Sequence, residues 1–260
     1  MNLHDRNQNF SWSNAEPPFE IVTEEQACLY NEIGAFALDD VFSTEEVLEL
    51  TAILDPLEAA SNKILRSVQE KRLGIARADE IVFRPHAIKT DARLKEYATH
   101  PILAGLCRDL VGPQVRLYWD QVVYKRPGTQ FDFPWHQDNG YTFVEPQQYL
   151  TCWVALTDAT RENGCPWVAP GLHLHGTLRH EWTEYGFRCL DQDPVDPIPL
   201  ELSAGSVAVF SSLSPHRTGP NLTGGIRKAY ILQYAVDGAI VHSNDGAVIE
   251  ANDPDRQFLV

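Results

Sequence analysis

The stretch Pro134-Trp135-His136-Gln137-Asp138-Asn139-Gly140-Tyr141 decides how this chain is read. His136 and Asp138 stand two positions apart. In extended backbone, side chains at i and i+2 point to the same face. An imidazole nitrogen and a carboxylate oxygen would then converge on one point. Those are two of the three protein ligands of a 2-His-1-carboxylate triad, which leaves open positions on a ferrous ion. A His-x-Asp pair alone is a weak signal, since most such pairs in a soluble protein are a hydrogen-bonded loop pair or a surface charge pair. The reading therefore needs a third ligand and an anchor for a cosubstrate elsewhere in the chain.

Nine histidines are available. His216 fits the third place best, because it follows the apolar run Gly205-Ser-Val-Ala-Val-Phe-Ser-Ser-Leu213 and so sits at the end of a core strand. The next strand opens with Ile226-Arg227-Lys228. A hairpin would return Arg227 to the open side of the metal, where its planar fork suits both oxygens of a carboxylate.

His136-x-Asp138, then His216, then Arg227 in that order resembles the phytanoyl-CoA dioxygenase family of Fe(II)/2-oxoglutarate oxygenases. Intervening pieces match as well: Trp153 within Tyr149–Asp158, the Asn163-Gly-Cys-Pro-Trp-Val-Ala-Pro-Gly-Leu-His173 stretch, and Ala204–Phe210 with Ser206 where the family has Asp. The resemblance runs from about Gln114 to Val236. It implies that His136, Asp138 and His216 hold iron, and that Arg227 pairs with the distal carboxylate of 2-oxoglutarate. Thr218 matches a family Ser/Thr on the same carboxylate, and Trp153 and Gln121 match cosubstrate contacts. Arg84 is the nearest match to a further basic contact. The implied cofactors are Fe(II), 2-oxoglutarate as cosubstrate, and O2. Because Asp138 is present, hydroxylation is expected rather than halogenation; desaturation and ring formation use the same ligands.

Composition sets outer bounds. The 260 residues, 43% hydrophobic and 22% charged, fit a globular chain with a full core. All-β barrels reach this length as one unit, so a single domain over 1–260 is expected. A net charge of −15 disfavours nucleic acid and anionic membranes as partners. A small-molecule substrate remains, and the oligomeric state is left open. Five scattered cysteines without a C-x-x-C pair argue against a thiolate zinc site and for a reducing compartment. With no apolar leader and no spanning apolar run, a cytoplasmic protein is expected.

The expected architecture is mainly β with N-terminal helices, a double-stranded β-helix or jelly roll. Residues 1–20 read as a loose lead-in, 21–112 as mostly helical and 113–236 as the jelly-roll core. Capping-box signatures at Thr23–Gln26 and Ser43–Glu46 start two helices. The second is expected to reach about Ala60, with a further helical stretch to Arg72. Residues 75–87 carry no clear signal. Helices are expected at Asp91–Tyr97 and Pro101–Leu110. Strands are expected at Val115–Tyr124, Tyr149–Thr157, Pro166–Ala169, Gly205–Ser211 and Lys228–Val236. Residues 180–199 read as an acidic loop or lid, with His180, Glu181 and Glu184 solvated.

Two other functions are compatible with these residues. His173-x-His175, with Glu181 and His216, hints at a non-oxidative cupin-type metalloenzyme, an isomerase or hydrolase. A turn at Pro170-Gly171 and the family's non-ligating His at position 173 favour structural hydrogen bonds for both histidines instead. A binding protein that kept the fold without turnover is the other.

Overall fold

The computed structural model describes residues 2–243 and 245–260. Both capping boxes form as written. The Thr23 hydroxyl accepts from Gln26 N–H, and the Gln26 side chain accepts from Thr23 N–H, opening the helix Glu24–Glu32. Ser43 and Glu46 do the same for the helix Thr44–Ser67. That helix does not break near Ala60; it runs unbroken through Pro56 and ends at Ser67 rather than near Arg72. Pro56 and Ala52, whose carbonyl loses its partner to the proline ring, are both exposed, so water can replace the lost bond.

An eight-stranded antiparallel sheet carries the molecule. Its order is Ala35–Leu38, Val207–Ser211, Leu150–Ala155, Arg227–Val236, Val115–Lys125, Ile81–Pro85, Ala76–Arg77 and Arg72–Leu73. The last three lie where the sequence shows no clear period, and they extend the sheet into the part expected to be helical. A smaller sheet faces it, in the order Ile198–Pro199, Pro166–Val168, His216–Thr218 and Phe133–His136. The expected jelly roll with N-terminal helices is thus present.

The large sheet is covered on both faces, and period-2 alternation sorts its side chains. Cys152, Val154, Val122, Tyr124, Val209 and Leu232 pack in one core with Leu50 and Leu54 of the long helix and Leu103 and Leu106 of the helix Pro101–Leu110. Trp153, Ala155, Ala208, Phe210 and Ala229 face the other way, toward Val168 and Cys165. Hence all six residues of Leu150–Ala155 are buried. The metal motif and Arg227 lie on this second face.

Three peripheral segments are more ordered than the sequence suggests. The lead-in is pinned by His4 N–H on Thr177 O and by Asn7 Nδ2 on the carbonyls of His175 and Thr177. Within 180–199, Glu181–Thr183 and Gly186–Arg188 form a hairpin, and Ile198–Pro199 joins the small sheet. Beyond Asp237, Ile240–His242 and Val248–Glu250 pair with each other, and the first also with Phe143–Glu145. No helix among the described residues is long and apolar enough to cross a membrane.

The helix–sheet core should respond to truncation as a packed interior does. Leu54→Ala should cost about 2–5 kcal/mol in denaturant unfolding, whereas Leu48→Ala, on the exposed side of the same helix, should stay within about 0.5 kcal/mol. Asp120 offers a pH test. Its carboxylate is buried, accepts from Ile88 N–H and Tyr230 O–H, and is pushed up by burial to about 6. The folded state therefore holds this proton more tightly than the unfolded chain, and the stability it contributes falls as pH rises from about 4 to about 6. Asp120→Asn should gain on wild type across that window in thermal melts, and a pH-independent difference would be inconsistent with this origin.

Candidate active site

His136 ends the strand Phe133–His136, and its register partner across the small sheet is His216. Directly opposed residues share a face, and the two rings lie 4.1 Å apart. Asp138 stands just outside the strand, at the start of a 3-10 turn spanning Asp138–Gly140. Gln137 keeps extended backbone (φ −108°, ψ 143°), so the i, i+2 relation survives the strand's end. Asp138 Oδ1 is 3.8 Å from His216 Nε2, and one ligand atom of each of the three residues lies within 4.8 Å of the others. Among the described residues, no other three or more His, Cys, Asp or Glu side chains gather in this way.

The hydrogen bonds around the triad prepare it for a cation. His136 Nδ1 lies 2.8 Å from Pro134 O, and His216 Nδ1 lies 3.0 Å from Ser214 O. A carbonyl only accepts, so both Nδ1 atoms carry a proton, and in the neutral ring Nε2 is the nitrogen that offers a lone pair. Burial, reinforced by His216, holds His136 well below the ordinary imidazole range, so it is neutral at physiological pH. Thr151 Oγ1 donates to Asp138 Oδ2 at 2.6 Å, which turns Oδ1 toward the histidines.

The alternate residues of the motif serve the scaffold. Gln137 is fully buried: its amide donates to Leu213 O and Gly176 O and accepts from Leu178 N–H. Asn139 donates to Thr177 Oγ1 and accepts from Val144 N–H. Gln137 N–H donates to His180 Nε2 at 2.9 Å, while His180 Nδ1 bonds Leu178 O. His180 is thus an internal brace and not part of a solvated loop. It packs so close to Gly140 that a Cβ there would sit 2.0–2.3 Å from its ring. Nothing in a single sequence joins positions 137, 140 and 180; only the chain's path brings them together.

Arg227 opens the strand Arg227–Val236 and is fully buried. Its guanidinium reaches Val123 O at 3.4 Å and lies 5.0 Å from the centre of the Trp153 ring, while Nε and Nη2 are buried without a partner. Burial pulls its pKa down to about 10, still cationic at neutral pH. Two unsatisfied donors on a buried cation are costly unless an anion meets them. Its register partner is Lys125, a second buried basic side chain, which donates to Gly219 O at 2.5 Å and to Thr218 O and Thr218 Oγ1 at 3.3 and 3.2 Å. The Thr218 hydroxyl accepts from Lys125, so its own proton is left to point elsewhere. Sequence reading missed Lys125 because a lysine in a strand ordinarily marks a solvated face.

His136, Asp138, His216, Arg227, Thr218, Trp153 and Gln121 all line one cavity of about 370 Å³. Arg84 does not. It pairs with Val122, on the helix-facing side of the large sheet, while its neighbours Phe83 and Pro85 face the cavity. Phe133 and Tyr141 line the cavity, and Trp135 turns away to donate to Asp193. The cupin-type set is not assembled: His173 is buried against Trp12 with Nε2 on Asn31 O.

A family profile described as phytanoyl-CoA dioxygenase (PhyH) matches residues 30–229. The chain belongs to the phytanoyl-CoA dioxygenase family. It is an iron(II)- and 2-oxoglutarate-dependent dioxygenase, as the motif order implied. The methylphosphonate hydroxylase of Gimesia maris is 27% identical over 221 residues, covering 82% of this chain and 80% of that protein. The phytanoyl-CoA dioxygenase of Arabidopsis thaliana is 28% identical over 181 residues, 67% and 64% of the two chains. Among solved structures, the 2-oxoglutarate-dependent carbocyclase SnoK of nogalamycin biosynthesis superposes with a TM-score of 0.67 at 23% identity, over 84% of this chain and 86% of that one. EvdO2 of Micromonospora carbonacea var. aurantiaca, complexed with 2-oxoglutarate, gives 0.64 at 22%, over 91% and 96%. At these identities the two structures establish a shared fold.

The residues present fit both groups of such an enzyme. Two imidazoles and a carboxylate facing one point suit a divalent cation, and the unsatisfied nitrogens of Arg227 suit a carboxylate. Thr151→Val keeps the volume but releases Asp138 Oδ2. Divalent-metal affinity, measured by titration with Co(II), should fall about 10–100-fold with the melting temperature nearly unchanged; undiminished affinity would show that Thr151 does not orient the ligand.

Proposed function

We propose that His136, Asp138 and His216 hold iron(II), that Arg227 receives the distal carboxylate of 2-oxoglutarate, and that the chain, acting as one unit over 1–260, hydroxylates a C–H bond of a small-molecule substrate. One observation carries the reading. Two imidazole Nε2 atoms and a carboxylate oxygen face one point in the same cavity as a buried guanidinium with two unbonded nitrogens.

Bound iron with 2-oxoglutarate and O2 supplies a balanced oxidation: one oxygen atom enters the C–H bond, the other enters succinate, and CO2 leaves. The protein's own part is ligation, orientation and exclusion of water. The fixed Nδ1 protons of His136 and His216 keep both Nε2 atoms available. Thr151 holds Asp138 in one rotamer. Arg227 aims the cosubstrate, with the Trp153 ring against its guanidinium and the Thr218 hydroxyl, already filled as an acceptor by Lys125, donating beside it. Phe133 and Tyr141 wall the cavity beside His136, so the reacting C–H lies in an apolar setting. Gln121 lines the same cavity at a position where it can meet the cosubstrate. Free cysteines, three of them buried, support a reducing location such as the cytoplasm.

With iron, O2 and 2-oxoglutarate, purified protein should release succinate even without its prime substrate. His136→Ala should abolish metal binding and lower turnover by more than about 100-fold. Arg227→Met should keep the metal and raise KM for 2-oxoglutarate by at least about tenfold, the loss of one charge-assisted pair. Metal binding intact in His136→Ala would remove the triad from this role, and wild-type protein that binds iron and 2-oxoglutarate without forming succinate would point to a binding protein.

A further inference from the structure

Strand geometry gives the cavity two chemically different ends. Arg227 pairs with Lys125 at one end of the two central strands, and six residues on, Gln233 pairs with Trp119 on one side and Thr151 on the other. At about 3.3 Å per residue these ends are roughly 20 Å apart, and the triad opens between them. Asp138 and Arg227 are the charged residues among the described residues lining the cavity. In the reading above, both are committed, Asp138 to iron and Arg227 to 2-oxoglutarate. Lys125 stands behind Thr218 and is already bonded to main-chain and hydroxyl oxygens.

What remains for a second molecule is neutral. Ile75, Ile81 and Phe83 supply apolar wall, and Tyr118, Tyr149 and Gln233 supply hydrogen-bonding groups. Both phenols are buried, which pushes Tyr118 up to about 12 and Tyr149 well above the ordinary range, so they stay uncharged. They stack edge to face at 5.4 Å beside the triad's carboxylate side. An ion seated against the buried Tyr118 and Tyr149 would give up water there and meet no free counter-ion among the described lining residues.

We propose that the part of the prime substrate held in this cavity is uncharged: a mainly apolar carbon skeleton whose polar groups are hydroxyl, ketone or amide, and not carboxylate, phosphonate, phosphate or ammonium. This rests on the reading of Asp138 and Arg227 given above. It separates this chain from enzymes that must pair a charged substrate inside the pocket.

The test uses matched probes: octanol, octanoate and octylamine, and benzyl alcohol, benzoate and benzylamine. Each is titrated by calorimetry into full-length protein loaded with iron(II) and 2-oxoglutarate under anaerobic conditions, so that Arg227 is occupied. In at least one series the alcohol should bind at least about tenfold more tightly than its charged partners. In the same series Ile75→Lys should move the preference toward the carboxylate by a similar factor. Equal or tighter binding of a charged member, or no binding by either alcohol, overturns the proposal. Succinate release by the same preparation in air is read alongside. Its absence removes the oxygenase reading itself, whereas a charged preference with release intact removes only this inference.

Discussion

One cross-strand register carries the candidate metal site. His136 and His216 meet only because Phe133–His136 and His216–Thr218 pair with those two residues opposite each other. A slip by one position would turn one imidazole to the far side of the small sheet. Gln137 guards that register. From within the motif it holds Leu213, three residues before His216, and the Gly176–Leu178 segment as well. Residues 136–139 therefore offer two candidate ligands, His136 and Asp138, alternating with two braces, Gln137 and Asn139.

The site also buries two basic side chains in an acidic molecule. The chain carries −15 overall, yet Arg227 and Lys125 lie buried side by side with no carboxylate ion pair to either among the described residues. Lys125 is satisfied by carbonyls and a hydroxyl, and burial beside Arg227 depresses its pKa well below the ordinary value. Arg227 keeps two nitrogens unbonded. A fold does not gain stability from such a pair. Its cost is repaid when an anion arrives, which is why a buried, under-bonded arginine reads as a binding group and not as a structural one.

Two-sided burial of the large sheet separates support from chemistry. Alternate residues of the same strands either pack on the helices or face the cavity, as Cys152 and Trp153 do. This alternation also explains why Arg84 does not line the cavity: one position nearer or farther along its strand, Phe83 and Pro85 do. The braces His180 and Asn7 belong to segments whose polarity suggested solvent. Their hydrogen bonds run to loop carbonyls and amides that no sheet satisfies, and buried backbone groups of that kind need partners.

From the sequence alone follow the shared face of His136 and Asp138, the helix starts and the antiparallel core, because each depends on local spacing: i, i+2 in extended chain, capping boxes of four residues, and alternation within single strands; His216 and Arg227 were legible as candidates only through their order along the chain and its resemblance to a family pattern. Strand ends and long-range contacts do not. The sheet's extension through residues 72–85, the inward turn of Lys125, the Thr151 bond to Asp138 and the packing of His180 on Gly140 join residues tens of positions apart in most cases. A lone sequence carries no signal for such pairs, since the residue types involved are equally common on solvated surfaces. The tertiary structure decided them by placing those groups where water cannot reach and each must find a partner within the protein. The same closure left the remainder of the cavity without charge.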